Sequence, residues 1–180
     1  MNDGRDGAVP LDEDDALVRQ YQRGSARAFS RLYDKYRGRL YGYVLKNCAD
    51  RDVAGELFQD VWVRVLASID RYEPQGRFRQ WLMTCAHNVV VDFYRRAKPR
   101  AEEVEPVDER STDQSLEIAE RIDAAVRQLP FDQRQAFWLR EELSCSVQEI
   151  ADIQDCTLEA AKSRLRYAYG KLREQLGDLV

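Results

Sequence analysis

The stretch SVQEIADIQDCTLEAAKSRLRYAYGKLREQL, residues 146–176, decides the architecture. Val147, Ile150 and Ala151 share one face of a short helix, and Ala151 is small enough for a second helix to cross closely. Asp155-Cys156-Thr157 then breaks the pattern: Asp tolerates a left-handed turn, Cys156 can plug the corner and Thr157 can cap the next helix. Apolar residues resume at Leu158, Ala161, Leu165, Ala168, Leu172 and Leu176, the buried row expected of a longer helix. Helix, tight turn and helix at this spacing describe a helix-turn-helix. Its solvent face is expected to carry Lys162, Arg166, Tyr169 and Arg173, with Ser163, Arg164 and Lys171 beside them. Five basic residues and no acid lie between Ala160 and Arg173. In a chain of net charge −4 this is local segregation, which suits phosphate and major-groove contact.

Outward from this pair the spacing stays helical, and no stretch alternates convincingly with period 2. Upstream, helical spacing is found at Leu116, Ala119, Ile122, Val126 and Leu129, and Pro130 begins a helix containing Phe137, Leu139 and Leu143. This second block, residues 115–180, is small for a core that stands alone. Residues 98–114 read as a flexible acidic linker. The run from Lys98 to Ser115 has two prolines, no aromatic residue and six acids, so it cannot bury enough surface to offset its ordering entropy. It is either a solvated spacer or a mimic of nucleic acid in a partner's basic channel.

Residues 1–97 form the first block. Leu17 and Tyr21 face a short helix whose amino end carries Asp12, Glu13, Asp14 and Asp15, favourable to the helix dipole. Ser25 can cap a longer helix burying Phe29, Leu32, Tyr33, Tyr36, Leu40, Tyr43 and Val44. Asp50 or Asp52 starts a third helix, with Leu57, Val61 and Val65 in a row; a fourth, from Phe78 to Arg96, buries Trp81, Leu82, Cys85, Val89 and Phe93. The predicted fold is all-α: two small helical domains joined by the acidic linker. Between Arg71 and Arg100 lie seven basic residues, two acids and interleaved aromatic rings. Cations that track a backbone and rings that stack on bases suit unpaired single strands. Phe78, Trp81 and Phe93 suit the core, whereas the loop Tyr72–Arg77 and polar Asn88 suit contact with an extruded base.

Other functions have little to work with. The one His, His87, and four scattered Cys without a Cys-x-x-Cys pair argue against triad chemistry and metal catalysis, and phosphate-loop motifs are absent. No cofactor, metal or enzymatic activity is expected. The thiols read as reduced and mostly buried. No apolar run spans a membrane, and the acidic amino terminus is unlike a secretory signal, so a cytoplasmic protein without membrane insertion is expected.

Three stretches carry a resemblance. Glu56-Leu57-Phe58-Gln59-Asp60-Val61-Trp62-Val63-Arg64 is similar to a "D-L-x-Q-D-V-F" helix. Phe78-Arg79-Gln80-Trp81-Leu82, with Ala86-His87-Asn88 and Asp92-Phe93-Tyr94-Arg95-Arg96, resembles "F-x-x-W-L-x-x-I-A-x-N…D-x-x-R-R". Leu129-Pro130-Phe131-Asp132-Gln133-Arg134, then Glu149-Ile150-Ala151 and Lys162-Ser163-Arg164-Leu165, completes the series. In this order they resemble bacterial RNA polymerase sigma factors of the extracytoplasmic-function type, whose region 2 binds core polymerase and melts the −10 element and whose region 4 reads the −35 element. The resemblance implies promoter-specific transcription initiation, with core RNA polymerase and promoter DNA as partners and an anti-sigma protein or other regulator controlling it. It implies that Glu56, Gln59, Asp60 and Arg64 face polymerase, with Leu57 and Val61 buried behind them. Tyr72, Gln75, Arg77, Arg79, Asn88, Arg95 and Arg96 would contact −10 DNA, the loop and Asn88 holding a flipped base. Lys162, Ser163, Arg164, Arg166 and Tyr167 would lie at the −35 groove, and the linker would thread toward the polymerase active-site and RNA-exit channels.

Two departures bear on function. Before Leu57 the family often has consecutive acids, whereas Val53-Ala54-Gly55-Glu56 keeps one, and Gly55 also weakens the helix by about 1 kcal/mol. Glu159 stands near the start of the recognition helix, where it suits the dipole but repels phosphate. The competing reading is a helix-turn-helix regulator acting without polymerase, which predicts a dimer on palindromic half-sites and leaves the aromatic-basic stretch unexplained.

Overall fold

The computed structural model describes residues 12–48, 50–97 and 114–177, and no strand occurs among the described residues. In the first block α1 (Glu13–Gln22), α2 (Ala26–Cys48), α3 (Arg51–Ser68) and α4 (Phe78–Ala97) surround one core. Leu32, Leu40, Tyr43, Val44, Val61, Val65, Leu82 and Val90 are sealed from solvent within it. The Asp50 side chain accepts from Asp52 N and Val53 N, so of the two expected starts for α3 Asp50 is the cap. A 3-10 turn, Ile69–Arg71, leads into the loop that reaches α4. Phe29, Tyr33, Phe58 and Trp62 form an aromatic cluster at 4.9–6.3 Å between α2 and α3. Residues 98–113 of the expected acidic linker lie outside the described residues, and Gln114, its expected last residue, begins α5.

The second block is α5 (Gln114–Arg127), α6 (Phe131–Glu141), α7 (Val147–Ile153) and α8 (Leu158–Leu176). Helix α6 stops two residues short of Leu143, which is buried from the loop; Ser144 then takes a left-handed φ of 52°. Ser146 and Glu149 form a capping box at α7. The turn matches its reading: Asp155 sits at φ 48°, and the Thr157 side chain accepts from Ala160 N at 3.1 Å. Ala161, Leu165, Ala168, Leu172 and Leu176 face inward, but Leu158 is 37% exposed and leaves the expected buried row. It is the first residue of α8, beyond the point where α7 covers that face.

The two blocks pack together, α6 against α2 and α7 against α4. At the centre, Gln135 of α6 is wholly buried. Its amide accepts the Tyr43 hydroxyl at 2.5 Å and donates to Asn47 Oδ1, while Asn47 Nδ2 donates to the Tyr43 carbonyl at 2.8 Å. With the Tyr43 proton given to Gln135, the His87 Nδ1–H donates to the Tyr43 hydroxyl at 3.1 Å. The polar groups are mutually satisfied, as burial requires. Around them Tyr94 packs on Phe131 with centroids 4.7 Å apart, Arg134 lies over both rings, and Lys46 bonds Asp123 at 2.6 Å.

Candidate nucleic-acid interface

Two buried carboxylates shape the loop between the 3-10 turn and α4. Asp15 accepts the Tyr72 hydroxyl at 3.0 Å and the backbone N–H of Gly76. Gly76 has φ 75°, a conformation that a side chain would strain. Gln22 Nε2 donates to the Ile69 and Tyr72 carbonyls, both at 2.8 Å. Asp14, paired with Lys35 and Tyr36, anchors the same end of α1. Sequence reasoning placed these acids at the helix dipole and missed their second task. Their position one turn before buried Leu17 and Val18 was the available signal.

So held, the loop and α4 border an open, shallow pocket of about 420 Å³ lined by Arg71, Tyr72, Glu73, Gln75, Arg77, Gln80, Trp81 and Thr84. It offers an aromatic wall, in which Tyr72 and Trp81 lie 5.1 Å apart, and cationic and amide groups at the rim. A flat heteroaromatic group fits this chemistry. Of the predicted −10 residues, Tyr72, Gln75 and Arg77 meet here. Asn88 does not: one turn further along α4, it lines the cleft between the blocks together with Arg95. Arg96 is exposed near the end of α4. Arg79 is half-buried and turned to the second block, bonded to Glu149 at 2.6 Å and to the Leu143 and Ser144 carbonyls at 2.5 and 3.0 Å.

On α3, Glu56, Gln59, Asp60 and Arg64 are all exposed on one face, while Leu57 and Val61 are buried beneath. Arg64 is bonded to Asp92 at 2.9 Å. Sequence reasoning left out Val63 and Leu66, 64% and 42% exposed on this same face. They recur at helical spacing with Gln59 and Asp60, which was the signal. An apolar pair ringed by charge is the composition of a docking surface.

On α8, Lys162, Arg166 and Tyr167 are exposed, Tyr167 by 60%, and Ser163 lies beside them, accepting from Arg166 at 3.2 Å. Two residues depart from the expected face. Tyr169 turns inward, its ring 5.6 Å from Phe137 and its hydroxyl donating to Glu141. Arg164 is a brace, bonding Gln154 at 3.0 Å and Asp132 at 2.9 Å and so fixing α8 to α6 and to the turn. Both sit at the border between buried and exposed rows, where the Phe137 ring and the Asp132 carboxylate, distant in sequence, decide the outcome. Glu159 bonds Lys162 at 2.7 Å, and that hydrogen bond and charge hold its carboxyl below the usual range.

Among the described residues no His, Cys, Asp and Glu group is arranged to hold a metal ion, and no helix is long and apolar enough to cross a membrane. Burial pushes the Cys48, Cys85 and Cys145 thiols up to about 11, which removes their thiolate character.

A model of Sigma-70 region 2 matches residues 32–100, and one of Sigma-70, region 4 matches residues 119–172. The chain is 30% identical over 174 residues to the ECF RNA polymerase sigma factor SigK of Mycolicibacterium vanbaalenii, covering 91% of this chain and 89% of that one. This chain belongs to the ECF sigma factors. It is therefore a transcription initiation factor, the class whose members bind core polymerase and direct promoter-specific initiation. Two solved structures share the sigma factor's fold. CnrH, in complex with the cytosolic domain of CnrY, superposes with a TM-score of 0.74 at 22% identity, over 92% of this chain and 97% of CnrH. RpoE of Bartonella quintana, in complex with the anti-sigma factor NepR, gives 0.68 at 23% identity, over 85% and 99%.

Proposed function

We propose that this sigma factor uses three surfaces in one act: the outer face of α3 docks core polymerase, the α4 pocket captures an extruded −10 base, and α8 enters the −35 major groove. The observation that carries this reading is an open pocket with an aromatic wall and a cationic rim in the same chain as a basic helix-turn-helix. A regulator acting through the helix-turn-helix alone has no use for the pocket. Residues 1–97 and 115–180 then divide the work as regions 2 and 4, with the acidic segment 98–114 between them directed into polymerase channels. No catalytic side chain is needed. Opening DNA costs about 1.4 kcal/mol per base-pair step, and each stacked base returns about 1–3 kcal/mol, so a few captured bases tip the balance. Polymerase contacts supply the remainder.

The protein acts in the cytoplasm, without enzymatic activity of its own, and is held in check by an anti-sigma protein, as the relative bound to NepR suggests by analogy. Run-off transcription with core polymerase on genomic fragments tests the proposal. Transcripts starting at discrete sites only when the chain is added are expected; DNA binding without transcripts would favour the independent regulator.

A further inference from the structure

Positive charge gathers in the cleft between the blocks beyond what their packing consumes. The cleft is half-open, about 1180 Å³ in volume, and brings Lys46, Arg95, Arg127, Arg134 and Arg164 together against two acids, Asp132 and Asp155, in a chain whose net charge is −4. Two of these cations are already paired: Lys46 with Asp123 at 2.6 Å, and Arg164 with Asp132 at 2.9 Å. Arg95, Arg127 and Arg134 have no carboxylate partner among the described residues. Arg134 is the most telling. It is half-buried and lies over the Tyr94 and Phe131 rings at 4.9 and 5.6 Å. Its one hydrogen bond is to the Arg127 carbonyl at 3.3 Å, and its Nε is shut from solvent without a partner. A partly buried charge is costly unless an opposite charge accompanies it. The start of α6 adds to the demand. No side chain caps it at Pro130, and Pro130, Phe131 and Asp132 line the same cleft, so the positive end of that helix dipole joins the guanidinium groups.

We propose that this cleft is a small-molecule site for an oligophosphate chain, free or carried by a nucleotide, held by Arg95 of the first block and by Arg127 and Arg134 of the second. Guanidinium groups match phosphate oxygens in planar, paired geometry. Three of them on three helices, α4, α5 and α6, call for several anionic groups in succession, which a single phosphate or carboxylate lacks. The volume stands just above the range of about 300–1,000 Å³ usual for small-ligand sites, which leaves room for a nucleotide and its water. Beside the cations, the Tyr94 and Phe131 rings and the Asn88 and Gln133 amides give an attached base surfaces to stack on and groups to bond. Because the cations come from both blocks, the ligand binds the packed chain and not the unfolded one, and so stabilises it by mass action. The site shares only Asn88 and Arg95 with the surfaces proposed above for DNA.

Isothermal titration calorimetry of the full chain in magnesium-free buffer, with ATP, inorganic triphosphate and adenosine as probes, tests the site. ATP or triphosphate is expected to bind one per chain, about tenfold or more tighter than adenosine. The tighter of the two identifies the source of the phosphate chain. At 100 times its Kd that compound should raise the thermal midpoint by about 5 °C. Arg95 and Arg127 are exposed and unpaired, so replacing them leaves folding intact. Arg127→Gln is expected to weaken binding about fivefold, and Arg95→Gln with Arg127→Gln about 25-fold. Should the double variant melt lower without ligand, Arg127→Gln alone carries the comparison. Arg39→Gln removes an exposed arginine of α2 outside the cleft and is expected to leave affinity within about twofold, which separates a built site from general attraction of polyanions. The proposal is overturned if neither phosphate compound binds, if more than one binds per chain, or if adenosine binds as tightly. Equal losses from Arg39→Gln and Arg127→Gln overturn it as well.

Discussion

Replacing Val63 and Leu66 together by Gln probes the polymerase-facing surface of α3. Full burial of a Val or Leu side chain stabilises by about 1.5–3 kcal/mol. With 64% and 42% of these side chains exposed in the free protein, covering them in a complex is worth about 1 kcal/mol each. The double substitution should therefore weaken core binding by about 2 kcal/mol, close to 30-fold at 1.4 kcal/mol per decade. Folding should be untouched. Gln is as good a helix former as Leu and better than Val, and neither side chain contributes to the core, so the thermal midpoint should move by no more than about 2 °C. The assay is anisotropy of the labelled chain titrated with core polymerase, alongside a thermal melt by circular dichroism. Affinity within twofold of wild type at an unchanged midpoint would show that this face does not meet polymerase.

Three further outcomes test other parts of the structure. Burial pushes the His87 imidazole down to about 4 from 6.5, so the folded chain resists a proton that the unfolded chain accepts; stability falls as pH drops through that window, by about 2 kcal/mol between pH 6.5 and 5. Urea unfolding of wild type and His87→Gln at the two pH values should differ by that amount, and an identical pH dependence would contradict the assignment. Gly55 has open space around its Cβ position, so Gly55→Ala should raise stability by about 0.5–1 kcal/mol, with Gly55→Glu binding core more tightly than Gly55→Ala in the same titration. Glu159→Gln frees Lys162 from its intrahelical partner and should tighten −35 duplex binding by holoenzyme, steepening the dependence of log K on log salt by about 0.9; an unchanged slope would place Lys162 away from phosphate.

The helices were legible because their signals are local. Asp50 and Thr157 mark helix starts through the nearby backbone groups their side chains cap, Pro130 through its fixed φ, and the inward rows of α2 and α8 repeat at helical spacing. The left-handed turn at Asp155 was legible for the same reason. The features that could not be read depend on partners remote in sequence. Gln135 and Asn47 have the composition of surface residues, and only 88 positions of separation, closed by folding, make them a buried pair. Asp15 is one of four neighbouring acids, singled out solely by Tyr72 and Gly76 arriving beside it. Arg164 and Tyr169 differ from Arg166 and Tyr167 by which side of the α8 border they occupy, and Asp132 and Phe137 determine that. For the candidate site, the loop and the face of α3 were therefore visible in the sequence, while the separation of Asn88 and Arg79 from the base pocket was not.

Permanganate reactivity of unpaired thymines on a promoter fragment tests the account most directly, because it asks where melting resides. Thymines in the −10 segment should become reactive when this chain and core polymerase are both present and stay protected with either alone. Reactivity produced by the purified chain without polymerase, or its absence from the assembled holoenzyme, would contradict the claim that docking on polymerase turns this two-block helical protein into a promoter reader.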